Sequence, residues 1–185
     1  MDRVRSFFNL HRGEEAPAFL LFSYLTLSMA SYIIIKSASK GLYLSKYPFT
    51  TLPYIYIGIA ILVGLVVAVY VRLSSRISQA TLISGTLVFF LICVVGLWWG
   101  LRIQWSPVAV VYILWTGIFG IIVATQVWTV ANQVLDLRQA KRLFPLVASG
   151  GILGSAGGGL LGAALVKRVG TDNLLLLLVP ALLLS

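Results

Sequence analysis

The chain has 185 residues, of which 59% are hydrophobic and only 10% charged, with a mean hydropathy of +0.99; a soluble domain carries about 25% charge. The formal net charge of +9 falls mostly at the ends of apolar runs, which points to the membrane surface and away from nucleic acid. Cys93 is the only cysteine and His11 the only histidine, which excludes an intramolecular disulfide and a histidine-based metal cluster or catalytic triad.

Residues 1–15 are polar, with Arg3, Arg5 and Arg12, and the apolar run that follows is too long for a signal-peptide core. They read as a cytoplasmic or interfacial segment that lies on the membrane through Phe7, Phe8 and Leu10. A first span is expected over 17–39, with Lys36 inside it and Lys40 one turn later. A lysine within a span costs about 2.5–3.5 kcal/mol on insertion scales and usually faces a cavity. The competing reading of Lys36 is snorkelling to the nearby interface. Pro53 opens a second span over 53–71, since proline is well placed in the first turn of a helix. Arg72 and Arg76 make a basic crossing to the third span, 78–100, which ends in Trp98 and Trp99. With Trp105 these read as an interfacial aromatic belt. The fourth span, 107–133, carries Trp115, Gln126, Trp128, Asn132 and Gln133.

A short charged crossing follows, Asp136 to Arg142. Asp136-Leu-Arg-Gln139 fits a capping box. Arg138, Lys141 and Arg142 then stand against the positive end of a helix dipole, which calls for a negative partner, either lipid headgroups or a bound phosphate. Pro145 is expected to separate this crossing from a fifth span over 145–166. Gly150, Gly154, Gly158 and Gly162 repeat every four residues, with Gly151, Ser155, Gly159 and Ala163 beside them. Such rows occupy one helix face and let two backbones approach closely in lipid, either as static packing or as a surface along which helices move. The last apolar run, 173–185, is too short for a core needing about 20 residues, so the chain is expected to be cut inside a sixth span and to continue for about six more. With the N-terminus inside, inner segments hold eight Lys and Arg residues and outer segments five, which favours that orientation. There is no Walker loop, metal-ligand cluster or carboxylate pair, so neither an enzyme nor a cofactor is expected.

Trp128, Ala131-Asn132-Gln133, Ala140-Lys141-Arg142, Pro145-Leu146 and Gly150 keep a fixed spacing across a span, a loop and the next span. In these residues the chain resembles the nucleotide (ATP/ADP) carriers of plastids and intracellular bacteria and their wider relatives in the major facilitator superfamily. The resemblance implies an all-α polytopic fold, the N-terminal six-helix bundle of a facilitator-type transporter, whose substrate sits between two six-span halves. It implies exchange or uptake of a nucleotide or related anionic metabolite, with Lys36 at the carriers' first basic position. Ser39 stands at their second basic position, Lys40 at their acidic one, and Thr116 where they carry an acidic residue early in the fourth helix. Asn132 and Gln133 are expected as polar partners of Lys36 in substrate binding, and Arg138, Lys141 and Arg142 as a cytoplasmic gate. The expected partners are the lipid bilayer, the anionic substrate and a C-terminal half of the same chain, in a bacterial inner membrane. Two alternatives stay open: a membrane scaffold or sensor that keeps the fold and moves nothing, favoured by the missing acidic residues, and transport of a non-nucleotide solute.

Overall fold

The computed structural model describes residues 15–169, so the expected N-terminal segment and the incomplete sixth span lie almost wholly outside it. The described residues form α1 (Glu15–Lys46), a short 3-10 turn (Phe49–Thr51), α2 (Leu52–Ser74), α3 (Gln79–Arg102), α4 (Val108–Val134) and α5 (Leu137–Val169). Five stretches, one in each long helix, are long and apolar enough to cross a bilayer: Ala16–Lys46, Phe49–Ser74, Thr81–Arg102, Val108–Val134 and Arg138–Ala164. The protein is an all-helical membrane protein over this range.

Two boundaries differ from the sequence expectation. The first helix continues past residue 39 to Lys46. Loss of apolar character does not break a helix, and the serine hydroxyls there are spent on helix carbonyls: Ser39 Oγ donates to the Lys36 carbonyl at 3.1 Å and Ser45 Oγ to that of Leu42 at 2.8 Å. The first true breaker is Pro48, which disfavours helical geometry at the residue before it.

The second difference is a correction. Pro145 does not separate the crossing from the fifth span; α5 is one helix from Leu137 to Val169 with Pro145 inside it. The proline removes one donor to the Lys141 carbonyl, but Lys141 and Pro145 are both exposed, so other partners can reach that carbonyl. The break falls earlier, at Leu135, whose extended backbone (φ −110°, ψ 129°) ends α4. The capping-box glutamine is in place, with the Asp136 N–H donating to Gln139 Oε1 at 3.0 Å.

The tightest packing joins α1 to α5. A β-carbon added at Gly150 would lie 2.7 Å from the Phe22 carbonyl oxygen, and one at Gly158 would lie 2.5 Å from that of Ala30. One at Gly154 would overlap the Thr26 backbone, and one at Gly162 would touch Ile34 at 3.4 Å. Both rows advance by four residues in the same direction, so α1 and α5 run parallel, as the first and fifth of five alternating spans must. This is small-residue packing in which backbone meets backbone.

α4 is the central helix. It packs on α1, α2 and α3 and buries residues along its whole length, from Val108 to Ala131. Trp115 stacks on Phe119 (centroids 5.3 Å apart), and Phe90 of α3 meets both rings edge-on at 5.9 and 5.0 Å. Such pairs add about 0.5–1.5 kcal/mol each beyond area burial. Within the same α3–α4 contact, buried Gln126 donates from Nε2 to Thr86 Oγ1, which itself donates to the Ile83 carbonyl at 2.8 Å. At the other end of α4, Trp128 meets Phe144 of α5 edge-on at 5.2 Å.

The glycines give a sign test. Gly158 is filled by the α1 backbone, whereas an added carbon at Gly157 meets nothing within 4 Å. Gly157→Ala is expected to stabilise the protein by up to about 1 kcal/mol through helix propensity, and Gly158→Ala to destabilise it by about 1–3 kcal/mol through overpacking. Thermal unfolding in detergent checks this; equal shifts of one sign would contradict the packing.

Candidate functional site

An open cleft of about 450 Å³ lies between α1, α2 and α4. α1 contributes Met29, Tyr32, Lys36, Ser39 and Lys40; α2 contributes Tyr56, Ile59 and Val63; α4 contributes Thr116, Gly117, Gly120 and Ala124 among others. Helix geometry explains which side of α1 is on view. At about 100° per residue, Tyr32 and Lys36 lie roughly 200° round the helix from Ala30 and Ile34, the residues that touch α5. The glycine contact with α5 therefore turns the Tyr32–Lys36–Lys40 row away from α5 and into the cleft.

α4 accommodates that row with two glycines. An added carbon at Gly120 would collide with the Tyr32 ring, and one at Gly117 would lie 2.6 Å from Ile59 Cγ2. The Tyr32 ring and Ile59 thus sit in notches on α4, which draw α1 and α2 onto the same helix and define the cleft walls. Neither these glycines nor Tyr56 belongs to a motif of the sequence; the usable signal is a pair of glycines within a helix otherwise rich in β-branched and aromatic residues.

The cleft is electropositive. Ser39 and Thr116 are buried, and their hydroxyl protons go to helix carbonyls, of Lys36 at 3.1 Å and of Tyr112 at 2.8 Å. The ammonium groups of Lys36 and Lys40 and the phenols of Tyr32 and Tyr56 supply the remaining side-chain donors of the lining. Among the described residues the acidic positions are Glu15 and Asp136, at the start of α1 and just before α5, and neither lines the cleft. Two like charges at i, i+4 repel by a few tenths of a kcal/mol, so an anion between them is favoured. The Lys36 Nζ stands 5.3 Å from the centroid of the Tyr32 ring, a cation–π contact that steers the ammonium along the cleft wall.

Lys36 is ten residues short of Lys46, about 15 Å from the helix end at 1.5 Å per residue, and lines the cleft. The other expected site residues lie elsewhere. Asn132 and Gln133 are exposed near the end of α4, sixteen and seventeen residues beyond Thr116, and neither lines the cleft. That separation is about 24 Å along the helix, so the structure does not bring them together with Lys36. Arg138 and Lys141 are exposed and Arg142 half-buried, all in the first two turns of α5. Among the described residues no three potential metal ligands cluster.

Comparison with protein-family models, with curated proteins and with solved structures gives no match.

Water should reach the cleft. In a Cys93→Ala background, Lys36→Cys is expected to react with a membrane-impermeant thiosulfonate roughly tenfold faster or more than Ile92→Cys, because the reactive thiolate forms only where water solvates it. Ile92 is exposed on α3 and does not line the cleft. Equal rates at the two positions would show that Lys36 faces lipid.

Proposed function

We propose that the protein is a membrane transporter that exchanges or takes up nucleotides of the ATP/ADP kind, or related anionic metabolites, by alternating access. The observation that carries this reading is the cleft itself, open between three spans and lined by two lysines and two tyrosines with no carboxylate from the described residues. Charge-assisted hydrogen bonds from ammonium to phosphate oxygens are short and strong, and phenol rings offer flat surfaces beside them. In this reading the described helices belong to the N-terminal six-helix half of a major facilitator-type transporter, similar to the nucleotide carriers. A second half closes the cleft on its open side, and the substrate lies near the bilayer midplane between the two. The excess of Lys and Arg in the inner segments supports a cytoplasmic N-terminus, and the resemblance to the nucleotide carriers a bacterial inner membrane. Arg138, Lys141 and Arg142, at the opposite end of the bundle from Lys46, serve as a cytoplasmic gate. Asn132 and Gln133 belong with that gate by position.

A second reading, a scaffold or sensor with a transporter fold, draws on Ser39 and Lys40 standing where the nucleotide carriers place a base and an acid. With no carboxylate on the cleft wall, proton coupling through a described residue lacks a group to carry it.

Labelled-ATP binding and uptake in liposomes separate the two. Lys36→Ala is expected to weaken ATP binding by about 1.5–3 kcal/mol, the worth of a charged hydrogen bond, and Lys36→Arg to keep much of the affinity. No binding by the wild type would overturn the nucleotide reading, and wild-type affinity in Lys36→Ala would remove Lys36 from the site.

A further inference from the structure

A separate pocket of about 610 Å³ lies at the Lys46 end of the bundle, between the last turn of α1 and the α3–α4 connection. Its wall is Leu42, Lys46, Tyr47, Leu101, Gln104 and Ser106. The backbone here carries an unusual choice. α3 ends in a Schellman turn, with the Trp105 N–H on the Gly100 carbonyl at 3.0 Å and the Gln104 N–H on that of Leu101 at 3.1 Å. Gln104 takes the left-handed position, φ 52°, and is the one non-glycine residue among those described with positive φ. Glycine is favoured at that position because a β-carbon costs roughly 1–2 kcal/mol there. What glutamine adds at that cost is a carboxamide, with two N–H donors, on the wall of the pocket that Lys46 also lines.

Charge and polarity say what would fill it. Lys40, Lys46 and Arg102 stand at this end, whereas the acidic positions among the described residues, Glu15 and Asp136, are at the other. Arg102 lies over the Trp98 ring, 4.8 Å from its centroid, which leaves Lys46 as the cation of this wall. A negative partner for Lys46 would therefore come from outside the described residues. The pocket is also polarised in depth. Lys46, Gln104 and Ser106 form its outer part, and Leu42 and buried Leu101, about one turn nearer the membrane interior, form its floor. Exposed Trp99 and Trp105, before and after Leu101 in the chain, bracket the pocket with interfacial aromatics. A free phosphate has no use for an apolar floor; a lipid does.

We infer that this pocket holds the headgroup phosphate of an anionic phospholipid. Lys46 supplies the charge, Gln104 and Ser106 donate hydrogen bonds, and Leu42 and Leu101 meet the first methylenes of the chains. The site is independent of the transport cleft, since none of its residues lines that cleft.

The test uses the full chain, delipidated and reconstituted in phosphatidylcholine, with a trace of spin-labelled phosphatidylglycerol. The preference of the immobilised fraction for phosphatidylglycerol over a labelled phosphatidylcholine is the readout. Lys46→Gln is expected to lower that preference about fivefold, the effect of one cation at a membrane surface, while Arg76→Gln at the other end lowers it far less. Gln104→Gly separates binding from folding: it should raise the thermal midpoint by relieving the left-handed residue and yet lower the lipid preference. Equal losses in Lys46→Gln and Arg76→Gln would reduce the effect to general surface charge and overturn the site. An unchanged preference in Gln104→Gly would likewise overturn it. Displacement of the labelled lipid by millimolar inorganic phosphate would assign the pocket to a free anion and overturn the lipid reading.

Discussion

The contact between α1 and the glycine row of α5 sets the rest of the structure. At Gly154 and Gly158 there is room for a hydrogen and nothing larger, so α1 meets α5 along its Phe22–Thr26–Ala30–Ile34 row. A helix held along one row presents a determined face to every other neighbour. For α1 that face is Tyr32, Lys36 and Lys40. The position of a charge in the membrane thus follows from where glycines stand on another helix more than a hundred residues away in sequence. Lipid supplies no hydrophobic drive to hold two spans together, which is why close backbone approach has to do so.

α4 completes the arrangement through contacts of two kinds. Toward α3 it uses bulk, the stacked Trp115 and Phe119 against Phe90, and one polar bridge, Gln126 to Thr86. Toward α1 and α2 it uses absence of bulk, at Gly117 and Gly120. The first side is held by rings and the second by notches, so the helix carries an aromatic face and a cleft face. An interhelical hydrogen bond in a membrane is worth about 0.6 kcal/mol on average, so Gln126 does less to hold α3 than the aromatic rings beside it.

Much of this was legible in the residues. The apolar runs located all five helices, because a membrane span must satisfy its own backbone and only a long apolar helix does that. The spacing of Gly150, Gly154, Gly158 and Gly162 announced a close helix contact, though not that α1 would fill it. Helix ends were harder. Hydropathy marks where apolar character stops, and α1 continues through Ser39, Lys40 and Gly41 until a proline blocks it. Pro145 points the other way: it reads as a break, yet one missing hydrogen bond between two exposed residues does not end a helix of 33 residues. The site was legible only in part. Lys36 stands out in sequence as a cation in an apolar run. Asn132 and Gln133 stand out as neutral amides near the end of an apolar run, but depth along a helix separates them from Lys36, and depth cannot be judged without knowing how α1 and α4 align.

The proposed transport function requires Lys36 to meet a negatively charged phosphate in the cleft. Rotational-echo NMR between ¹⁵Nζ-labelled lysines and the phosphorus of bound ATP, on the full chain in lipid, measures that contact directly. The account predicts phosphorus dephasing of a lysine Nζ signal at hydrogen-bond range, lost in Lys36→Ala and kept in Lys46→Gln. A wild-type spectrum with no dephasing at saturating ATP, or one unchanged by Lys36→Ala, would contradict it.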